Sequence, residues 1–360
     1  MSSTFTPVPL PPSASPQLFP TPIQIVPPVS PATRATASDA ERWFGFGTPE
    51  GRAWAMLLLR AAYLDDFQFS VTAAGFKDGL VNAERFQGPA FGTWRITLLE
   101  YLPAILCCVH GVRDQASITS VAADLTTPRY SAGGTQFLQT AATVGDAILD
   151  VLDGGRWSAK PRAAVGHSFG GPICAWMQAK PPSTQPFVGI QTFGACKIGQ
   201  ANAADAIGPN DFWCYGAMDD PIIGFPPSFI RLQLVPQLLA IWPVMAAAAA
   251  AVKRRIDGIW TTLRSITSAP QAIDDNGNLS AMSDVDNGRA WYARNGGLAA
   301  GLFDIGAFEA APGHQARVYY DRCRAGFPTW TTLNAQAGPA GRNADLLALA
   351  LSAAEAMEEP

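Results

Sequence analysis

Gly166, His167, Ser168, Phe169 and Gly170 form Gly-x-Ser-x-Gly. A small apolar run, Ala163–Val165, precedes them, and Gly171-Pro172 follows. A serine hydroxyl is a poor nucleophile by itself. It needs a base within hydrogen-bond reach, a carboxylate to orient that base, and N–H donors for an oxyanion. On a strand–turn–helix elbow, Gly166 and Gly170 let neighbouring elements approach closely, and Ser168 projects above the sheet. A serine caught in a tight glycine turn is the plain alternative. A strand before and a helix after favour the nucleophile.

The chain has three histidines, His110, His167 and His314. In an elbow of this kind the order along the chain is serine, acid, histidine. His314, in "AAPGHQARVYY", is the only histidine beyond Ser168. His167 sits inside the elbow, where its ring flanks the nucleophile and does not easily reach Oγ as a base. His110 ends a strand, where it helps to shape the loop facing the elbow. The acid belongs at the end of a strand between Ser168 and His314. "FWCYGAMDDP" supplies Asp219 and Asp220 there. Asp220 is favoured, because Pro221 biases it to extended backbone and fixes the turn. A turn-capping role is the alternative for this pair.

These residues need a scaffold. "AILCCV" (104–109) is an unbroken apolar run, as in a strand buried on both faces, with Cys107 and Cys108 pointing to opposite sides. "WRITLLEYL" and "FQFSV" also read as strands. Residues 49–63 read as a helix, and Thr135–Asp153 as an amphipathic helix with apolar residues at helical spacing. "RAAVG" is a short strand. "GGPICAWMQAK" is a helix with Pro172 in its first turn, where a missing N–H costs nothing. "FVGIQTFG" and "FWCYG" add two strands. The alternation is that of an α/β fold.

Hydrophobic residues make up 48% of the 360, and charged residues 15%. That supports a sizeable core in one large domain. A net charge of -4 supplies no basic field for nucleic acid. The six cysteines lack zinc spacing and read as buried free thiols. Residues 1–40 form a proline-rich arm, extended or disordered. It lacks a secretory n-region and h-region, which implies a cytoplasmic protein or one exported without a cleaved signal. No charge falls between Arg231 and Lys253. The 232–252 stretch admits core or lid helices, an interfacial lipid-contacting helix, or a membrane span that its prolines and alanines make poor. "DDNGN" and "DVDNG" read as turns, since neither completes a calcium loop. The segment 341–360 reads as a surface helix and tail.

The motifs resemble those of the class 3 lipase family of α/β-hydrolases. The family's Gly-His-Ser-Leu-Gly-Gly is matched by Gly166–Gly171. Its Phe-Gly-x-Pro-Arg-Val-Gly is matched by Phe193–Gly199, with the proline and arginine replaced. Its Asp-Pro-Val-Pro and later proline pair are matched by Asp220–Ile223 and Pro226-Pro227. Its Phe-Arg-Gly-Thr is represented by Val109–Val112. The resemblance runs from about Ala53 to Phe327 and is specific from Leu106 to Pro227.

It implies an α/β-hydrolase fold: a mostly parallel central sheet flanked by helices, spanning 41–340, with a cap or lid insertion at about 228–300. It implies a triad of Ser168, Asp220 and His314. The oxyanion hole would be the N–H groups of Val112 and Phe169, with His110 or Arg113 assisting. The implied substrate is an acyl lipid, an acylglycerol or phospholipid, and this chemistry requires no metal or organic cofactor. The 94 residues from Asp220 to His314 exceed the family pattern, and the excess is the apolar insertion. The alternatives are an acyltransferase or thioesterase with the same triad, and a membrane- or partner-binding protein on a hydrolase fold without turnover.

Overall fold

Among the described residues nine strands join into one sheet, and their order across the sheet is their order along the chain. They are Thr6–Val8 (β1), Leu80–Gln87 (β2), Ile96–Tyr101 (β3), Ile105–Val109 (β4), Arg162–His167 (β5), Phe187–Phe193 (β6), Phe212–Gly216 (β7), Gln271–Ile273 (β8) and Leu279–Ala281 (β9). The computed structural model describes residues 6–8, 39–64, 67–75, 77, 79–113, 129–130, 136–137, 139–179, 187–196, 199–200, 212–220, 222–223, 263–264, 271–282 and 312–327. Strands β4 to β8 run parallel. The edges, β1–β2–β3–β4 on one side and β8–β9 on the other, are antiparallel.

A sheet that grows in one direction by right-handed crossovers puts its crossover helices on one face. Gln139–Leu152 (α4) and Gly170–Ala179 (α5) accordingly share one core with Ile105, Cys107, Val109 and Ala164. The opposite face must be covered by helices from before and after the sheet. Asp39–Phe44 (α1), Pro49–Tyr63 (α2), Phe67–Ala74 (α3) and Ala316–Ala325 (α6) supply that layer, over Leu106, Cys108, Ala163 and Val165. Cys107 and Cys108 thus enter different cores, as their alternation requires. All six cysteines are buried and free. Burial pushes the thiols of Cys107, Cys108, Cys174 and Cys323 upward, which keeps them protonated and inert.

Helix α2 begins as its sequence dictates. Thr48 Oγ1 accepts from Gly51 N at 3.1 Å, and Pro49 takes the first position. Its far end is capped by buried arginines. Arg85 Nη1 donates to Leu64 O (2.9 Å), and Arg95 Nη2 to Tyr63 O (2.8 Å). Cations there satisfy the last carbonyls and the negative end of the helix dipole.

Four sequence expectations change. "FQFSV" is helix α3, not a strand. Phe67, Val71 and Ala74 lie at helical spacing and are buried, and Ser70 Oγ bonds Ala61 O on α2. The alternation of Phe and Gln had masked that period. Helix α4 starts at Gln139, because Gln136–Phe137 form a two-residue strand in a small second sheet with 129–130, 199–200 and 263–264. Thr6–Val8, inside the proline-rich arm, pair with β2 as an edge strand, where Pro7 is tolerated. Residues 271–281, inside the expected insertion, are β8 and β9 of the main sheet. Their connection is the "DDNGN" turn, with Gly277 at φ 77° and Asp274 Oδ1 accepting from Asn276 N and Asn278 N. The 232–252 stretch, "DVDNG", residues 1–5 and 9–38 of the arm and 341–360 lie outside the described residues, and the arm's last two residues open α1. Among the described residues, no helix is long and apolar enough to cross a membrane.

Candidate active site

Four parallel strands end on one side of the sheet, where ligands bind in open α/β folds. Strand β4 ends in His110-Gly111-Val112, β5 in Ser168, β6 in Gly194 and β7 in the turn of Asp219-Asp220.

Ser168 has φ 52°, the one positive φ among the described non-glycine residues. L-residues pay for that conformation, and it persists where the surroundings enforce it. Here Ser168 N donates to Phe193 O at 2.9 Å, and Ser168 O accepts from Gly171 N at 3.0 Å. The glycines permit the fit. A Cβ at Gly166 would lie 2.7 Å from Gly170 O, and one at Gly170 would collide with Val109 O. Gly111 faces the serine, since a Cβ there would lie 2.9 Å from Ser168 Oγ. Val112 and Phe169 are both buried beside the elbow.

Asp220 and His314 come together in the interior. His314 Nδ1 lies 3.0 and 2.9 Å from the two oxygens of Asp220, and both residues are buried. Asp220 accepts further from Ile222 N (2.8 Å) and from Tyr319 Oη (2.7 Å). Burial, then the Asp220 charge, pushes the Tyr319 phenol well above its usual value, so it remains a donor. His314 closes a 3-10 turn, Pro312–His314, immediately before α6. With Nδ1 committed to the carboxylate, Nε2 is the ring nitrogen that can exchange a proton with a serine.

Asp219, the second acid in the sequence, faces outward. It forms a two-pronged pair with Arg322 on α6 (2.9 and 3.1 Å), and Arg322 also bonds Asp275 in the β8–β9 turn. That clamp ties α6, and with it His314, to the acid loop. A Cβ at Gly313 would lie 2.7 Å from Asp219, so glycine is needed at that crossing.

His167 and His110 are engaged at both ring nitrogens. The His167 ring stacks on His314, centroids 5.1 Å apart, and its Nε2 lies 3.1 Å from His314 O. Its Nδ1 lies 2.6 Å from Tyr63 Oη. Burial, with His314 beside it, holds His167 well below the usual histidine value and therefore neutral. His110 Nε2 accepts from Arg95 N (3.0 Å), and Nδ1 bonds Gly111 O (2.7 Å). His110 therefore braces the loop, and with both ring nitrogens taken by backbone groups it is not placed for the assisting role expected of it. Sequence reasoning passed over Tyr63 and Gly194. Gly194, at φ 59°, packs against Asp220, Tyr319 and His314 and has no space for a Cβ. Its one signal was its place in the segment after β6.

A serine at positive φ between a parallel strand and a helix is the elbow geometry of the α/β-hydrolase fold. No family model and no curated protein matches the chain. Among solved structures it is similar to fungal lipases. A fungal lipase in complex with an inhibitor aligns at 13% identity, covering 67% of this chain and 88% of that one, with a TM-score of 0.42. A Rhizomucor miehei lipase with its propeptide aligns at 14%, over 67% and 75%, with a TM-score of 0.42. A Rhizopus microsporus var. chinensis lipase aligns at 14%, over 63% and 79%, with a TM-score of 0.37. Likeness at this level adds nothing to the placement of individual residues.

Proposed function

We propose that the protein is a serine hydrolase that cleaves carboxylic esters of acyl lipids, acylglycerols or phospholipids. The observation that carries this reading is a buried Asp220–His314 pair on the same side of the sheet as a serine held at positive φ. Ser168 Oγ attacks the ester carbonyl while His314 Nε2 takes its proton. Asp220 keeps His314 in the Nδ1–H form and stabilises the imidazolium. The carbonyl oxygen becomes an oxyanion, held by the N–H groups of Val112 and Phe169. Collapse expels the alcohol, which receives the proton from His314, and leaves an acyl-enzyme. Water then repeats the steps with His314 as base, releasing the acid and restoring Ser168.

The lipid preference rests on the uncharged 232–252 region near the acid in sequence. An acyl chain gains roughly 0.8 kcal/mol per buried CH₂, so an apolar wall favours long acyl groups. The same region is proposed to touch lipid interfaces transiently.

Labelling by a fluorescent fluorophosphonate tests the reading, comparing wild type, Ser168→Ala and His314→Ala, each with and without detergent micelles. Labelling of wild type alone supports it. Equal ester turnover by pure wild type and Ser168→Ala would overturn it.

A further inference from the structure

Two groups that the hydrolase reading leaves aside, Tyr63 and His167, lie in one continuous chain of hydrogen bonds. Arg95 N donates to His110 Nε2, which must therefore be the unprotonated nitrogen. His110 Nδ1–H then donates to Gly111 O. Gly111 N donates to Tyr63 Oη at 2.8 Å. On the far side, His314 O can only accept, so His167 Nε2 carries the proton and donates to it. A neutral His167 then accepts at Nδ1, and Tyr63 Oη–H is its donor. Each ring is left with one tautomer.

We propose that Tyr63 is a positioning residue that locks the loop after β4 to the elbow and to the backbone of His314. The idea rests on the hydrolase reading given above. One phenol oxygen meets the loop and the elbow directly, and reaches the His314 backbone through the His167 ring. It takes up the Gly111 N–H, and His110 takes up the Gly111 carbonyl. Both faces of that residue are then fixed, and the next amide, Val112 N–H, is held in one direction. The ring itself packs between His110 and His167, with centroids 5.1 and 5.6 Å away. Tyr63 is placed in turn by the end of α2, where Arg95 holds its carbonyl. Arg95 thus grips the tyrosine with its side chain and His110 with its backbone. A donor fixed before reaction stabilises an oxyanion without reorganisation.

The test is Tyr63→Phe, which keeps the ring and removes the hydroxyl. Tyr101→Phe is the control, since it deletes a phenol hydroxyl that is bonded to Ala74 O and even more deeply buried than that of the partly buried Tyr63. With a soluble short-chain ester, Tyr63→Phe is expected to lower kcat by about tenfold to a hundredfold, less than outright loss of an oxyanion donor. KM stays within about twofold, as expected of an interaction made in the transition state. Tyr101→Phe leaves kcat unchanged.

The three histidines make the second readout simple. Long-range nitrogen–proton spectra of wild type are expected to show Nδ1–H at His110 and Nε2–H at His167, and Tyr63→Phe shifts the His167 Nδ1 resonance. Unchanged kcat in Tyr63→Phe, a loss no larger than that of Tyr101→Phe, or the opposite tautomers would overturn the proposal. Wild type without ester turnover would sink the hydrolase reading and not the lock, which the nitrogen spectra decide by themselves.

Discussion

The serine elbow and the Asp220–His314 pair meet at one place but are held by different means. Ser168 is fixed by backbone: two glycine contacts, one bond to Phe193 O, and a strained φ. His314 is fixed by side chains: Asp220, which Tyr319 also bonds, and the Arg322–Asp219 clamp behind them. A nucleophile held by backbone needs only a few adjacent residues of the right size. A base held by side chains needs partners from far along the chain, and each partner can be removed alone.

The largest effects break the comparison at its centre. Ser168→Ala is expected to lower kcat/KM for a soluble ester by at least about 10⁴-fold, with thermal stability retained. Asp220→Asn removes the acceptor that fixes His314, and a loss of about 10³ to 10⁴ in kcat is expected, read in the same assay. Gly170→Ala attacks the backbone side. Its Cβ meets the Val109 carbonyl, which cannot step aside, and a destabilisation of about 2–4 kcal/mol is expected in urea melts.

His167 sharpens the comparison through pH. Its folded value lies below the usual 6.5, so below pH 6.5 the unfolded chain binds the extra proton. Stability is full above that value and falls as pH drops, by up to about 1.4 kcal/mol per unit until the folded value is reached. His167→Asn is expected to flatten that slope in melts between pH 7 and 5. The smallest effect belongs to Arg322→Met. Loss of the clamp costs about 1 kcal/mol or less, and kcat falls by less than about tenfold, because Asp219 is partly solvated.

Legibility in the sequence follows the same division. The elbow, the strands β4 to β7 and the helices α2 and α5 announce themselves through runs of adjacent residues. Asp220 and His314 emerged from chain order, and the structure pairs them. Strand β2 passed unnoticed, because its buried Arg85 breaks the apolar pattern in order to cap α2. Tyr63 carried no local signal. It reads as the last aromatic of a helix, and its partner His167 is 104 residues away. Helix α3 was hidden by a false period of two, and its burial is decided by α2 and not by its own alternation.

The layer beneath the sheet has a further consequence for timing. Helix α6 begins two residues after His314 and packs in one core with α2. The serine elbow is complete in the chain long before His314 arrives, since His314 lies 147 positions beyond His167. A ribosome-bound or prematurely terminated chain that stops short of this helix would carry the elbow without His314 and without part of the layer that covers the sheet. On the proposed hydrolase reading, competence would switch on only when the last layer docks, so ester turnover during synthesis would serve as a clock for the closing of the fold.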